Sequence, residues 1–99
     1  MSDISVRQQN NELIIEGKLT QSTVMEALAQ CKALLPQAGN IVMNLSAISH
    51  CDSTSLAFLT AMIREGKQRN VQVKISHMPK QMQELSKVSG LGSVFTQIE

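Results

Sequence analysis

The hydrophobic period of this chain switches repeatedly, between the two-residue repeat of a strand and the roughly 3.6-residue repeat of a helix. Ile4 and Val6 alternate with polar neighbours, Asn10-Asn11 supplies a turn, and Leu13-Ile14-Ile15 runs to Gly17. That pattern reads as a β-hairpin. Thr23-Val24-Met25-Glu26 fits a capping box, and Val24, Leu28, Cys31 and Leu35 then recur at helical spacing up to Pro36 and Gly39. Ile41-Val42-Met43-Asn44-Leu45 is a nearly continuous apolar run, expected to be a central strand covered on both faces. Ser46 to Cys51 reads as a loop, or a loop with one turn, after which Asp52, Ser53 and Thr54 open a second helix reaching about Gln68 or Arg69.

Beyond Asn70, Val71, Val73 and Ile75 alternate strictly, which predicts a strand with one wet face. Pro79 marks the first turn of a third helix with a Met82, Leu85 and Val88 stripe, closed by Gly90. Val94, Phe95 and Ile98 are expected as a short strand or packed tail. The order is β-β-α-β-α-β-α, followed by a last short β or a packed tail. It places the chain in the α/β class, with a small mixed, largely parallel sheet joined by helical crossovers. At 99 residues with 42% hydrophobic content, a single domain spanning 1–99 with one core is expected.

The second helix carries most of the functional information. On a helical projection Leu56, Phe58, Leu59, Met62 and Ile63 share one broad arc, with Ser55 and Gly66 inside it. The opposite face gathers Ser53, Thr60, Arg64 and Lys67, with Ala57 and Ala61 alongside. Ser53 is therefore expected to point outward, and Ser55 inward where only a small residue fits. An outward hydroxyl in the first turn has two readings. One is helix capping, with Asp52 or Ser53 accepting a bond from a free amide. The other is a docking or phosphorylatable hydroxyl, because a phosphate there would meet the positive end of the helix.

Other chemistries lack their signatures. Nine Lys and Arg balance eight Asp and Glu, and Phe58 and Phe95 are the only aromatics. That composition offers neither the basic footprint nor the stacking platform of a nucleic-acid binder. No apolar run is long enough to insert in a membrane, and no basic-then-apolar leader opens the sequence. There is no phosphate-binding glycine loop and no nucleophile elbow around Ser53. His50, Asp52 and Ser53 lie within four consecutive residues, whose side chains diverge, so a catalytic relay is not expected. No metal-ligand spacing, carboxylate pair or cofactor motif appears. Cys31 and Cys51 are expected as reduced core thiols.

At these residues the chain resembles the STAS domain, the fold of the anti-sigma-factor antagonists, over nearly its whole length. Leu13-Ile14-Ile15-Glu16-Gly17-Lys18-Leu19-Thr20 resembles the family's second strand, and Ile41-Val42-Met43-Asn44-Leu45-Ser46 its buried third strand. Cys51-Asp52-Ser53-Thr54-Ser55-Leu56 resembles the signature V-D-S-[STA]-G-L, with Ser55 in place of the usual glycine. The family's phosphorylated or partner-contacting hydroxyl follows the Asp, which maps it to Ser53.

Within the family, Leu56-Ala57-Phe58-Leu59, Pro79-Lys80-Gln81-Met82-Gln83-Glu84-Leu85 and Val88-Ser89-Gly90-Leu91 are similar to segments of the MlaB subgroup. These are small cytoplasmic subunits of phospholipid-transporting ABC complexes in Gram-negative bacteria. The resemblance implies a non-catalytic protein, without a cofactor, that binds the transport ATPase (MlaF-like) in a complex with a membrane permease. It would lie peripherally at the inner membrane. The residues implied in partner contact are Ser53, Thr54, Ala57, Thr60, Ala61 and Arg64, with Lys80, Gln83 or Lys87 of the third helix extending the surface. The alternative the resemblance carries is an anti-sigma-factor antagonist switched by phosphorylation of Ser53.

Overall fold

The computed structural model describes residues 3–88, 90 and 97–98. The hairpin forms as expected, with β1 (Ile4–Gln9) antiparallel to β2 (Glu12–Leu19) and the turn at Asn10, where φ is 55°. α1 (Val24–Leu34) leads to β3 (Gly39–Asn44), which pairs with β2 in parallel. α2 (Thr54–Gln68) follows a further short strand, β4 (Ile48–Cys51). Next come β5 (Val71–Ser76), parallel to β3, then α3 (Lys80–Val88) and β6 (Gln97–Ile98), parallel to β5. The sheet is ordered β1-β2-β3-β5-β6, with β4 attached to β2. This is the mixed, mostly parallel α/β architecture the hydrophobic periods predict. The tail expectations for Val94 and Phe95 lie outside the described residues.

Packing follows the alternation. Ile4, Leu13, Ile15, Ile41, Met43, Val73 and Ile75 are buried together on the helix-bearing side of the sheet. Ser5, Arg7, Gln9, Asn40 and Gln72 alternate with them and are exposed. β3 departs from expectation here. Ile41 and Met43 are fully buried, but Val42 and Asn44 are only half-buried, so this central strand is covered on one face. Burying an aliphatic side chain is worth roughly 1.5–3 kcal/mol. Leu56, Phe58, Leu59 and Met62, all buried, therefore set the rotation of α2 far more strongly than helix propensity does.

Three local expectations are corrected. The segment 46–51 is not simply a loop, because β4 forms along the half of β2 that β3 leaves free. Glu12–Ile14 pair with β3, while Gly17, Lys18 and Leu19 pair with Ile48, His50 and Cys51. Ser49 is the unpaired residue of the bulge, and its hydroxyl donates to the Gly17 carbonyl at 3.2 Å. Gly17 is required at this junction. Its φ is 110°, and an added Cβ would lie 2.1 Å from the Asp3 carbonyl oxygen.

The capping box at Thr23 does not form. The Thr23 hydroxyl donates to the Lys18 carbonyl at 2.6 Å and accepts from the Thr20 amide at 3.0 Å, while Glu26 accepts from Gln30. In the third helix Val88 leaves the predicted stripe and is 88% exposed. The buried positions of that helix are Met82 and Ser86, whose hydroxyl donates to the Gln83 carbonyl at 2.8 Å.

Candidate functional site

The site is built where β2 and β4 end side by side. Parallel strands place their carboxyl ends, and the helix N-termini that follow, on one edge of the sheet. β2 leads through the Thr20–Ser22 turn into α1, and β4 leads through Asp52 and Ser53 into α2. The Asp52 amide donates to the Leu19 carbonyl at 3.4 Å, which carries the strand pairing up to the helix start.

Asp52, not Ser53, caps α2. Its Oδ1 accepts from the Thr54 amide at 3.0 Å and from the Thr54 hydroxyl. Its Oδ2 accepts from the Gln21 amide at 3.0 Å, across a separation of 31 residues. The bond from the Thr54 hydroxyl, helped by those from the two amides, holds the Asp52 carboxyl below its ordinary range. Ser55 is fully buried, with its hydroxyl donating to the Asp52 carbonyl at 2.7 Å. Ser55, where the resemblance expects glycine, thus adds a bond to the first helical turn.

With Thr54 and Ser55 both committed, Ser53 carries the exposed hydroxyl of the first turn and makes no side-chain cap bond. Ala57 and Arg64 are exposed with it, as the helical projection requires. Thr54, Thr60 and Ala61 are half-buried instead. The Thr60 hydroxyl donates to the Leu56 carbonyl at 2.9 Å, so it is held against its own helix. Ala61 belongs to the same row as Glu65 and Arg69, one helical turn apart each. That row faces α1. Glu65 lies 3.9 Å from the Lys32 ammonium, and Arg69 donates to the Lys32 and Leu35 carbonyls. On α3, Lys80 and Lys87 are exposed, whereas the Gln83 amide nitrogen donates to the Met78 carbonyl at 2.8 Å.

The arrangement does not assemble a relay. His50 lies on β4 with Nδ1 3.4 Å from the Ser49 hydroxyl, and the Asp52 carboxylate is occupied by Gln21 and Thr54. Among the described residues no three His, Cys, Asp or Glu side chains gather to hold a metal ion. Cys31 and Cys51 are free thiols in the core, and burial pushes Cys31 up to about 12. The participation of Gln21 and the two-sided role of Asp52 have no signal in the sequence, because a backbone amide 31 positions away leaves no residue pattern.

The model of the family described as "Mlab, STAS domain" matches residues 4–97. The chain belongs to the STAS domain family. STAS domains are in general non-catalytic regulators or accessory domains that act through protein–protein contacts. The anti-sigma-factor antagonist SpoIIAA in its unphosphorylated form is similar, with a TM-score of 0.71 at 15% identity, covering 97% of this chain and 88% of that one. The phosphorylated form of the Bacillus cell-fate determinant SpoIIAA is similar with a TM-score of 0.65 at 16% identity, covering 97% and 91%. An anti-sigma-factor antagonist from Mycobacterium paratuberculosis is similar with a TM-score of 0.61 at 21% identity, covering 95% and 82%. At these identities the likeness is one of fold. No curated protein sequence matches the chain.

Proposed function

We propose that this chain is the non-catalytic STAS subunit of a phospholipid-transporting ABC complex, docking on the ATPase subunit through the outer face of α2. The observation that carries the reading is the free, exposed hydroxyl of Ser53 at the head of a face whose next-turn residue is Ala57. Small side chains let another backbone approach closely, and a few buried anchors carry most of the energy of such an interface. The match to the Mlab-described family supports the choice of an ABC partner. Among the described residues no helix is long and apolar enough to cross a membrane. In this reading membrane association comes through the ATPase and its permease, on the cytoplasmic side of the inner membrane.

Co-purification with the cognate ATPase subunit tests the reading. The wild-type chain is expected to be retained, while Ser53→Glu and Ala57→Arg, both at exposed positions, are lost with their thermal midpoints preserved. Ser53→Glu places a charge on the contact, and Ala57→Arg places a long cation one turn further along the same face. Wild-type retention of both variants would refute the site. Incubation with an anti-sigma kinase and ATP separates the alternative, since phosphate transfer to Ser53 would assign the chain to the antagonists instead.

A further inference from the structure

The head of α2 and the turn that follows β2 are linked by a side-chain bond from one carboxylate. A helix cap needs a single acceptor, and Asp52 Oδ1 already fills that role for the Thr54 amide. Asp52 Oδ2 is used elsewhere, on the amide of Gln21 at 3.0 Å. Capping does not explain that second bond. Gln21 lies in the Thr20–Ser22 turn, whose Gln21 and Ser22 are exposed, and the turn forms an open cleft with Asp52, the residue before the exposed Ser53.

The turn is shaped independently of Asp52. Thr23 accepts from the Thr20 amide and donates to the Lys18 carbonyl, and the Thr20 and Ser22 hydroxyls lie 3.1 Å apart. Removing the second carboxylate oxygen therefore leaves two folded halves, still joined by the Asp52 amide to the Leu19 carbonyl, and takes away the one side-chain bond that holds the Gln21 amide against the head of α2.

We propose that Asp52 is a positioning residue for docking, locking the Thr20–Ser22 turn to the head of α2 so that the partner meets Ser22 and Ser53 as one rigid surface. This rests on the reading that α2 docks on the ATPase subunit of an ABC complex. A pre-organised surface loses less conformational entropy on association than two segments that must be aligned at the moment of contact.

Asp52→Ser separates the two roles, because a serine hydroxyl caps the Thr54 amide and is too short to reach Gln21. The full chain is used throughout, with three measurements: affinity for the purified cognate ATPase subunit, thermal midpoint, and exchange of the Gln21 and Thr54 amides. Asp52→Ser is expected to bind about tenfold more weakly, consistent with losing one charge-assisted bond. Its Gln21 amide exchanges faster, its Thr54 amide stays protected, and its midpoint stays near wild type. Wild-type affinity in Asp52→Ser, or an unchanged Gln21 amide, overturns the proposal. Full binding by Asp52→Ser alongside lost binding by Ser53→Glu removes the role of Asp52 and leaves the docking face standing. Full binding by Ser53→Glu removes the docking face, and the proposal with it.

Discussion

The two ends of the α1–α2 pair are built on opposite principles. The helices run parallel, since Gln21 meets Asp52 at their N-terminal ends and Lys32 meets Glu65 at their C-terminal ends. At the C-terminal end Lys32, Glu65 and Arg69 are used internally, while Lys67 and Gln68 stay exposed. Arg69 pairs with Glu65 at 3.0 Å and donates to the Lys32 and Leu35 carbonyls, so it closes the end of α1 as well as its own helix. Gly66 brings α2 so close to β5 that an added Cβ would lie 2.6 Å from the Val71 carbonyl oxygen and 2.7 Å from Val73 Cγ2. At the N-terminal end a single carboxylate makes the crossing bond, and Gln21, Ser22, Ser53 and Met25 stay exposed. The contrast is between an end closed by Arg69 and Gly66 and an end joined by one carboxylate oxygen, and the proposed docking face begins at the second.

The comparison is broken most severely by Gly66→Ala, which overpacks the closed end. Denaturant unfolding is expected to show a loss of about 2–3 kcal/mol, with the strained contacts outweighing the gain in helix propensity. A neutral result would mean that the helix–sheet distance there relaxes freely. Arg69→Ala comes next, with an expected loss of about 1–2 kcal/mol from the bonds to the two α1 carbonyls and Glu65. Partner binding by the same variant should be unchanged, which a pull-down checks.

A pH titration of stability probes the core between the two ends. Burial raises the Cys31 pKa from 9.0 to about 12, so the folded chain holds its proton where the unfolded chain has lost it. The stabilisation is complete below pH 9 and is lost as pH rises from 9 towards 12. Cys31→Ala should remove that part of the alkaline slope in thermal melts. Ser53→Ala is the smallest effect and the sharpest test of the open end. Its hydroxyl makes no cap bond, so stability should change by less than about 0.5 kcal/mol. A larger loss would show that Ser53 serves the fold.

Legibility varied with the kind of interaction. α2 was readable almost residue by residue, because Leu56, Phe58, Leu59 and Met62 recur at the helical period and exclude Ser53 to the far side. β4 was not. Ile-Ser-His-Cys has no alternating pattern, and it is a strand because β2 offers unpaired backbone beside it. The Thr23 cap misled for a related reason, since its hydroxyl oxygen accepts from the Thr20 amide instead of from an amide of its own helix. Val88 fits the apolar stripe by spacing, but the buried inner position one turn after Met82 belongs to Ser86.

What the chain's own order of residues determined is the alternation of strands and helices apart from β4, the buried face of α2, and the outward placement of Ser53. These follow from periodic burial of apolar side chains, an energy that scales with area and is written locally. The tertiary structure alone decided that β4 completes the edge of β2, that Arg69 closes α1, and that Asp52 ties Gln21 to the head of α2. Each depends on a directional hydrogen bond to a backbone group distant in sequence, and a backbone group is the same at every position until the fold brings one within reach.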